Sequence, residues 1–200
     1  MNAFTESNTV EQMILDAVAP HGSKLDPAGW TYVLATQIPR QLSDVTVEPW
    51  LRKALIHLNP EIAVQPDRAD EVIYNLRACL LSVQADGLVR ANENFMAWLR
   101  GEKTMPFGHN GEHVPVRLVD TSDPTNNHLV VTNQWTYQAG AVEKRFDIVF
   151  VVNGLPLVIG EAKTPIRNAV TWFDGAFQIH QIYEMEVPAM FVPNIFSFAT

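Results

Sequence analysis

The sequence predicts an α/β fold in which helices flank a mixed central β-sheet. Helical patterns fill the N-terminal part, about residues 1–105, whereas segments rich in β-branched and aromatic residues fill about residues 106–200. In the second part the order is strand, strand, hairpin, helix and strand, which is typical of α/β and α+β domains. With 200 residues, 47% of them hydrophobic, the chain is expected to form a single domain.

Three helices are predicted in the N-terminal part, over residues 9–19, 44–58 and 66–82. Glu11 lies in the first turn of the first helix, where a negative charge suits the helix dipole. Asp44 is the expected N-cap of the second helix. Pro49 must then lie in the first turn or mark the true start, because proline disrupts a helix interior.

Strands are predicted in the C-terminal part over residues 114–119, 128–137, 146–152, 155–162 and 190–198, with a helix over residues 167–184. Asn153-Gly154 joins two apolar runs, which is the strongest short signal for a β-hairpin. The apolar residues of the helix lie roughly on one face. We therefore expect Trp172 and Phe177 in the core, together with Trp135.

The chain carries a formal net charge of −8, whereas most autonomous DNA-binding modules are basic. Contact with DNA would therefore need a local patch or the help of other domains. Basic residues do cluster between residues 144 and 167. The candidate DNA contacts among them are Lys144, Arg145 and Arg167.

Several classes of protein are disfavoured by composition. The single cysteine, Cys79, builds neither a disulfide framework nor a cysteine-rich zinc site, and it is expected in the core. No apolar stretch reaches the roughly 18 residues of a membrane span. The first ten residues lack the order of a signal peptide. A cytoplasmic protein without membrane contact is therefore expected.

The most informative pattern is RFDIVFVVNGLPLVIGEAKTP at residues 145–165. Asp147 lies on the first strand of the predicted hairpin. Glu161 and Lys163 lie two residues apart on the second strand and therefore share a face. Carboxylates on an apolar strand cost free energy unless they are paired. Mg²⁺ is one such partner, because it takes one or two carboxylates and completes its shell with waters and phosphate oxygens. Lys163 can lower the pKa values of the carboxylates and meet negative charge developing on a phosphate.

The length of the hairpin loop tests this interpretation. A two-residue turn at Asn153-Gly154 would place Asp147 opposite Gly160 and direct Glu161 to the other face. Asp147 lies opposite Glu161 only if the loop has three residues or the ladder contains a one-residue bulge. We therefore predict such an irregularity, at Gly154 or at Gly160.

Plainer interpretations stay open. Glu-x-Lys on a strand is commonly a surface ion pair, and Asp147 beside Arg145 could be a surface salt bridge worth about 0–1 kcal/mol. His109 and His113 have the spacing of a zinc-binding helix, but glycines between and before them indicate a loop.

These residues also carry a resemblance to a known family. Asp147, the Asn-Gly-Leu-Pro hairpin, Glu161-x-Lys163 and a following helix with Gln and Tyr resemble the PD-(D/E)xK nuclease core. More narrowly, residues 147–158 are similar to the signature of the R subunits of type I restriction enzymes. The likeness extends from about residue 9 to the end, through the segments LNP at 58–60, NN at 126–127, VTNQ at 131–134 and VP at 187–188. It implies a restriction-endonuclease-like core.

The resemblance implies roles for the matching residues of the hairpin. Asp147 and Glu161 would bind the metal, and the main-chain carbonyl of Ala162 would be a third ligand. Lys163 would position or activate the attacking water and stabilise the transition state.

The following helix departs from the family pattern. The family often carries Gln-xxx-Tyr there, and Tyr183 is present, but Ile179 occupies the position four residues before it. Gln178, five residues before, or Gln181, two residues before, would have to supply the amide. Glu11 matches an acidic residue that is seen early in the family.

The resemblance further implies an Mg²⁺-dependent endonuclease on double-stranded DNA, with Mn²⁺ as a substitute and 5′-phosphate and 3′-hydroxyl products. ATP would be used only by motor domains downstream, in a longer chain of which residues 1–200 form the nuclease domain. Modification and specificity subunits would choose the target. Two alternatives remain: a stand-alone DNA repair nuclease of the same superfamily, and a non-catalytic docking module of the same fold.

Overall fold

The computed structural model describes residues 6–19, 29–163 and 171–200. The helices are α1 (Glu6–Val18), α2 (Glu48–Leu58), α3 (Pro60–Val64), α4 (Arg68–Leu81), α5 (Val83–Asp86), α6 (Leu88–Leu99), α7 (Trp172–Phe177) and α8 (Glu184–Glu186). The strands are β1 (Thr31–Tyr32), β2 (Thr104–Met105), β3 (Val114–Pro115), β4 (Leu129–Ala139), β5 (Val142–Val152), β6 (Leu155–Glu161) and β7 (Phe196–Ala199). A π-helical turn, Gln178–Tyr183, connects α7 to α8.

A five-stranded sheet forms the centre of the fold, in the order β1, β4, β5, β6, β7. Strands β4, β5 and β6 are antiparallel to their neighbours in this group, whereas β1 pairs with β4 and β7 pairs with β6 in parallel. This mixed sheet with flanking helices confirms the predicted fold class, and it is compatible with a restriction-endonuclease-like fold.

Helices cover both faces of the sheet. The larger core lies between one face and helices α2 to α6. Its largest fully buried side chains include Leu51, Leu76, Phe95, Trp135 and Phe146. On the other face, Leu15 of α1 packs against Val131 and Ile148. None of the described helices is long and apolar enough to cross a membrane.

Strands β4 and β5 exchange faces part of the way along their length. Residues two apart on a strand normally share a face, yet Phe146 packs in the larger core and Ile148 packs against α1. Asp147 lies between them, opposite Gln134, at the one interruption within the described β4–β5 ladder. Gln134 adopts a left-handed backbone conformation, with φ of 56°. We call Gln134 and Asp147 the strand switch.

The β5–β6 hairpin contains the predicted irregularity. The turn at Asn153-Gly154 has two residues with positive φ, which is the preferred hairpin geometry. The register then shifts between Phe150 and Val151, so that Ile148 pairs with Gly160. One residue further along, this register places Asp147 opposite Glu161. The bulge is thus confirmed, and with it the condition for the two carboxylates to meet.

The predicted position of the bulge is wrong. The unpaired residue is Leu157, directly after Pro156, rather than Gly154 or Gly160. Proline has no N–H to donate to the ladder, and within sheets it occurs at edges and bulges. Gly160 instead allows close packing, because a Cβ there would lie 2.2 Å from the ring of Phe198.

One prediction in the helical part is wrong, and one helix was not predicted. Helix α2 begins at Glu48 with Pro49 in its first turn, so Asp44 is not the N-cap. The Asp44 carboxylate accepts a hydrogen bond from the Gln41 N–H at 2.9 Å in the preceding turn. Helix α6 has no counterpart among the predicted elements, although it buries Phe95 completely.

The predicted strand over residues 114–119 is also mostly wrong, since β3 contains only Val114 and Pro115. The Asn59 side chain takes the place of a neighbouring strand: its Oδ1 accepts from the Arg117 N–H at 2.7 Å and its Nδ2 donates to the Arg117 carbonyl at 2.9 Å. The backbone is satisfied without a ladder, and Val116 and Leu118 are still buried.

The C-terminal part differs from prediction in its exposed residues. Trp135 is fully buried, as expected, but Trp172 is 63% exposed and Phe177 is 54% exposed, so their placement in the core is wrong. The buried face of this helical segment consists of Gly175, Ile179 and Tyr183. Strand β7 starts only at Phe196, after a 3₁₀ turn over Pro188–Phe191.

Candidate active site

An open cleft of about 560 Å³ lies where β5, β6 and the π-helical turn meet. It brings together the predicted residues of the Asp147–Lys163 pattern and those of the following helix. The lining residues are Glu143, Lys144, Arg145, Asp147, Glu161, Lys163, Gln178, Ile182 and Tyr183.

Asp147 is held against the end of β6 by a backbone group. Its Oδ2 accepts a hydrogen bond from the Ala162 N–H at 2.9 Å. On the other side of β6, the Glu161 carbonyl and the Lys163 N–H both bond to Thr200, at 3.1 Å each. Because the peptide groups of an extended strand alternate, the Ala162 carbonyl faces the Asp147 side together with its N–H.

Glu161 is among the few charged residues that the described core buries. Glu161 as a whole is 3% exposed, and its Oε1 accepts a hydrogen bond from the Lys163 ammonium at 2.7 Å. A buried carboxylate needs such a charged donor, because the loss of hydration is otherwise strongly unfavourable. The same ammonium donates to Gln178 Oε1, also at 2.7 Å.

The hydrogen-bond chain continues from Gln178 across the helix to β5. The Gln178 amide donates to the Tyr183 hydroxyl, and that hydroxyl donates to the Arg145 carbonyl at 3.5 Å. These hydrogen bonds connect the end of β6 to β5 through one helical turn. Gln181 is exposed and does not line the cleft. Of the two glutamines considered, the structure therefore places Gln178 in the site.

The π-helical turn explains how Gln178 reaches Tyr183. Residues five apart are separated by roughly 140° around an α-helix of 3.6 residues per turn. A π-helix bonds residue i to residue i+5, so that residues five apart stack on one face. The segment Gln178–Tyr183 has this π geometry. The extra residue relative to the family spacing is thus absorbed locally.

Burial and negative charge raise the pKa of Tyr183 to about 12. Loss of hydration is the largest cause, and the Glu161 carboxylate adds to it, while the hydrogen bond from Gln178 acts in the opposite direction. The phenol is therefore neutral near pH 7, and it acts as a hydrogen-bond donor and acceptor without titrating.

Gly175 lets the helix approach the strand that carries the site. A Cβ at this position would lie 3.0 Å from the Ala199 Cβ and 3.4 Å from the Cγ atoms of both Glu161 and Lys163. A larger side chain would therefore push α7 away from β6. Sequence analysis did not single out this glycine, because nothing in the local pattern shows which strand the helix meets.

The candidate DNA contacts are only partly placed. Arg145 is exposed at the mouth of the cleft. Lys144 also lines the cleft but is paired with Glu186 at 2.5 Å. Arg167 lies outside the described residues.

Glu11 occupies a buried position beside the strand switch, and it does not line the cleft. Its Oε1 accepts from the Gln134 amide at 2.7 Å, and its Oε2 accepts from the Asn133 amide at 3.0 Å. Asn133 Oδ1 in turn accepts from the Tyr32 hydroxyl at 2.8 Å. Burial, and then the charge of Glu11, raise the pKa of Tyr32.

The oxygen donors at the cleft are few. Within residues 6–19, 29–163 and 171–200 there is no group of three or more His, Cys, Asp or Glu that could hold a metal ion. His109 and His113, in particular, lie in and after a short 3₁₀ turn. What the cleft offers is open space and three carboxylates, those of Asp147 and Glu161 and that of the exposed Glu143.

Comparison with known proteins gives a consistent result. The family model described as "Type I restriction enzyme R protein N terminus" matches residues 4–200. The type I restriction enzyme HindI endonuclease subunit of Haemophilus influenzae is 32% identical over 198 residues, covering 94% of this chain and 17% of that protein. The putative type I restriction enzyme MjaIXP endonuclease subunit of Methanocaldococcus jannaschii is 24% identical over 144 residues, covering 70% and 13% respectively.

The chain thus spans less than a fifth of the length of these relatives. The family match, by contrast, includes every candidate residue of the cleft. This chain belongs to the family of type I restriction enzyme R protein N termini.

Proposed function

We propose that this chain is the nuclease domain of a type I restriction enzyme and hydrolyses phosphodiester bonds of double-stranded DNA with the help of Mg²⁺. The observation that carries the proposal is the juxtaposition of Asp147, Glu161 and Lys163 in one cleft, at the only hairpin register that lets both carboxylates face each other. Membership of the family and the names of its relatives support the same activity.

The donor set fits a magnesium ion. Mg²⁺ prefers oxygen ligands, and in phosphate chemistry it typically takes one or two carboxylates and leaves its other positions to waters and substrate oxygens. Asp147 and Glu161 would supply the carboxylates, and the Ala162 carbonyl would supply a neutral oxygen. When bound, the ion would polarise the phosphate and lower the pKa of a bound water.

The remaining residues act on the substrate and on each other. The Lys163 ammonium would stabilise negative charge on the phosphate in the transition state, which is worth most at a partly dehydrated position. Its side chain is 13% exposed. Gln178 would hold Lys163 in place, and neutral Tyr183 would hold Gln178. Lys144, Arg145 and Arg167 are proposed to contact the DNA backbone.

The wider assembly is inferred from the family alone. The proposal places this domain in an R subunit, beside ATP-dependent motor domains, in a cytoplasmic complex with modification and specificity subunits. Neither ATP hydrolysis nor recognition of a target sequence is assigned to these residues.

Titration calorimetry of Mn²⁺ and Mg²⁺ tests the proposal. We expect the wild-type chain to bind Mn²⁺, Glu161→Gln and Asp147→Asn to lose that binding, and Glu143→Gln to retain it. Glu143 is a matched control because it lines the same cleft but is exposed on β5. Equal binding by wild type and Glu161→Gln would refute the metal site. Absence of binding by the wild type, with or without duplex DNA, would favour the docking module instead.

A further inference from the structure

The strand switch depends on a residue that lies outside the cleft. Gln134 has a φ of 56°, and side chains other than glycine rarely adopt this left-handed conformation unless the surroundings enforce it. Its partner across the ladder is Asp147, and both are skipped in the pairing that continues on either side. A change at Gln134 is therefore expected to reach Asp147 through the pairs on either side, Asn133 with Ile148 and Trp135 with Phe146.

The Glu11 carboxylate provides the enforcement. It is 1% exposed, and each of its oxygens accepts one amide, from Gln134 at 2.7 Å and from Asn133 at 3.0 Å. Asn133 cannot reverse its amide without losing the hydrogen bond from Tyr32 to its Oδ1. The carboxylate therefore holds two consecutive residues of β4 at the point where the strand turns over.

We infer that Glu11 is a positioning residue: by holding Gln134 in its left-handed conformation, it keeps the strand switch formed and Asp147 in reach of the Ala162 N–H. The inference extends the proposed function, since the placement of Asp147 matters for cleavage only if the cleft is a nuclease site. The placement itself can be measured without metal.

A substitution pair separates backbone conformation from side-chain contact. Gln134→Gly and Gln134→Ala both remove the amide that Glu11 holds, but glycine adopts positive φ freely and alanine does not. If the conformation is what matters, Gln134→Ala should disturb Asp147 more than Gln134→Gly. For the same reason, Gln134→Gly should partly rescue Glu11→Ala in the double variant.

A charge-neutral variant separates positioning from direct metal binding. In Glu11→Gln, the oxygen of the introduced carboxamide can still accept a hydrogen bond from the Asn133 amide. The Gln134 amide can rotate so that its oxygen accepts a hydrogen bond from the introduced NH₂ group. The positioning role therefore predicts that Glu11→Gln remains close to wild type. Asp16→Ala serves as the control, because Asp16 is an exposed acid on the same helix whose carboxylate accepts from Gln12.

The readouts are the ¹H–¹⁵N signal of the Ala162 amide in metal-free protein and the Mn²⁺ affinity of the 200-residue chain. We expect Glu11→Ala to shift the Ala162 signal and to weaken Mn²⁺ binding about tenfold or more, as is typical for residues that orient metal ligands. The double variant with Gln134→Gly should move both values back towards wild type, and Asp16→Ala should change neither.

Two results would overturn the inference. An unchanged Ala162 signal in Glu11→Ala would show that Asp147 is placed without Glu11. If Glu11→Ala does not fold, the same result in Gln134→Ala would show this. Loss of Mn²⁺ binding by Glu11→Gln as complete as by Glu11→Ala, without rescue by glycine, would make Glu11 a cation ligand itself. If the wild type binds no Mn²⁺, the proposed function fails, but the Ala162 signal still decides whether Glu11 positions Asp147.

Discussion

Lys163 is the residue on which the charge balance of the cleft depends. Its ammonium neutralises the buried Glu161 carboxylate, whose side chain is 4% exposed. A bound cation would serve that carboxylate in the same way. Lys163 and the proposed metal ion would therefore compete for Glu161, even though both are proposed to serve one reaction.

This competition gives a prediction for Lys163→Met. Because the substitution removes one partner of a buried ion pair, the free energy of unfolding measured without added metal should fall by about 3 kcal/mol. Mn²⁺ affinity should rise, because the competing ammonium is gone. Urea denaturation and calorimetry measure the two effects. Lys144→Met is the control: its partner Glu186 is 46% exposed, so that pair should contribute at most about 1 kcal/mol. Unchanged stability in Lys163→Met would contradict the assigned pair.

Tyr183 gives a prediction for alkaline pH. Its pKa is raised from 10.0 to about 12, so the folded state holds the phenolic proton longer than the unfolded state does. The stability contributed by the neutral phenol is complete below pH 10 and declines as pH rises towards 12. We expect Tyr183→Phe to remove one phenolate that titrates near pH 12, as measured by absorbance at the tyrosinate band. Loss of a group titrating near pH 10 would contradict the burial of this hydroxyl.

At the scale of elements, the hairpin was predictable because its signals are local. Asn153-Gly154 fixes the turn, and the spacing of Asp147 and Glu161 requires a bulge if both are to face one cleft. The predicted position of the bulge was wrong, although its cause is also local: Pro156, directly before the unpaired Leu157, has no N–H to donate to the ladder.

Other elements were not predictable because distant residues decide them. Residues 114–119 have strand composition, but the Asn59 side chain satisfies the backbone at Arg117 in place of a neighbouring strand. The residues next to Gln134 in the sequence give no indication that its φ is positive. Its conformation depends on Glu11, 123 residues earlier in the chain.

The π-helical turn gives a prediction for a deletion. Removing the exposed Gln181 should convert the turn to an α-helix with Gln178 four residues before the tyrosine, and the hydrogen-bond chain to Lys163 should persist. We expect Mn²⁺ affinity to stay within about threefold of wild type, since the metal ligands keep their surroundings. Insertion of one alanine after Gln181 is the control and should break the chain. Loss of affinity in the deletion variant, measured by calorimetry, would show that the π geometry itself is needed.

At the scale of the whole molecule, the net charge disfavours an encounter between the proposed site and DNA. The net charge is −8, and within the described part of the cleft Lys144 is already engaged by Glu186. This charge gives little long-range attraction for DNA. Under the proposed function, other parts of an assembly would have to deliver the DNA.

The charge predicts weak binding by the isolated chain. At 150 mM salt we expect a Kd for duplex DNA of about 10⁻⁵ M or larger. The affinity would then be no stronger than that of ordinary non-specific contacts with DNA. The slope of log K against log salt should correspond to about two or three phosphates. Fluorescence anisotropy between 50 and 200 mM salt measures both. Sub-micromolar affinity with a steep slope would mean that basic residues outside the described part of the chain form a binding surface.

The π-helical turn also bears on how such sites diverge. Because one helical turn can switch between bonding patterns, the loss of a single codon there would leave Gln178 in reach of Lys163. The number of residues between the glutamine and the tyrosine can therefore change while the contact between the amide and the lysine is kept. Homologous enzymes with irregular spacing should be judged by whether an amide reaches the lysine, and not by how many residues precede the tyrosine.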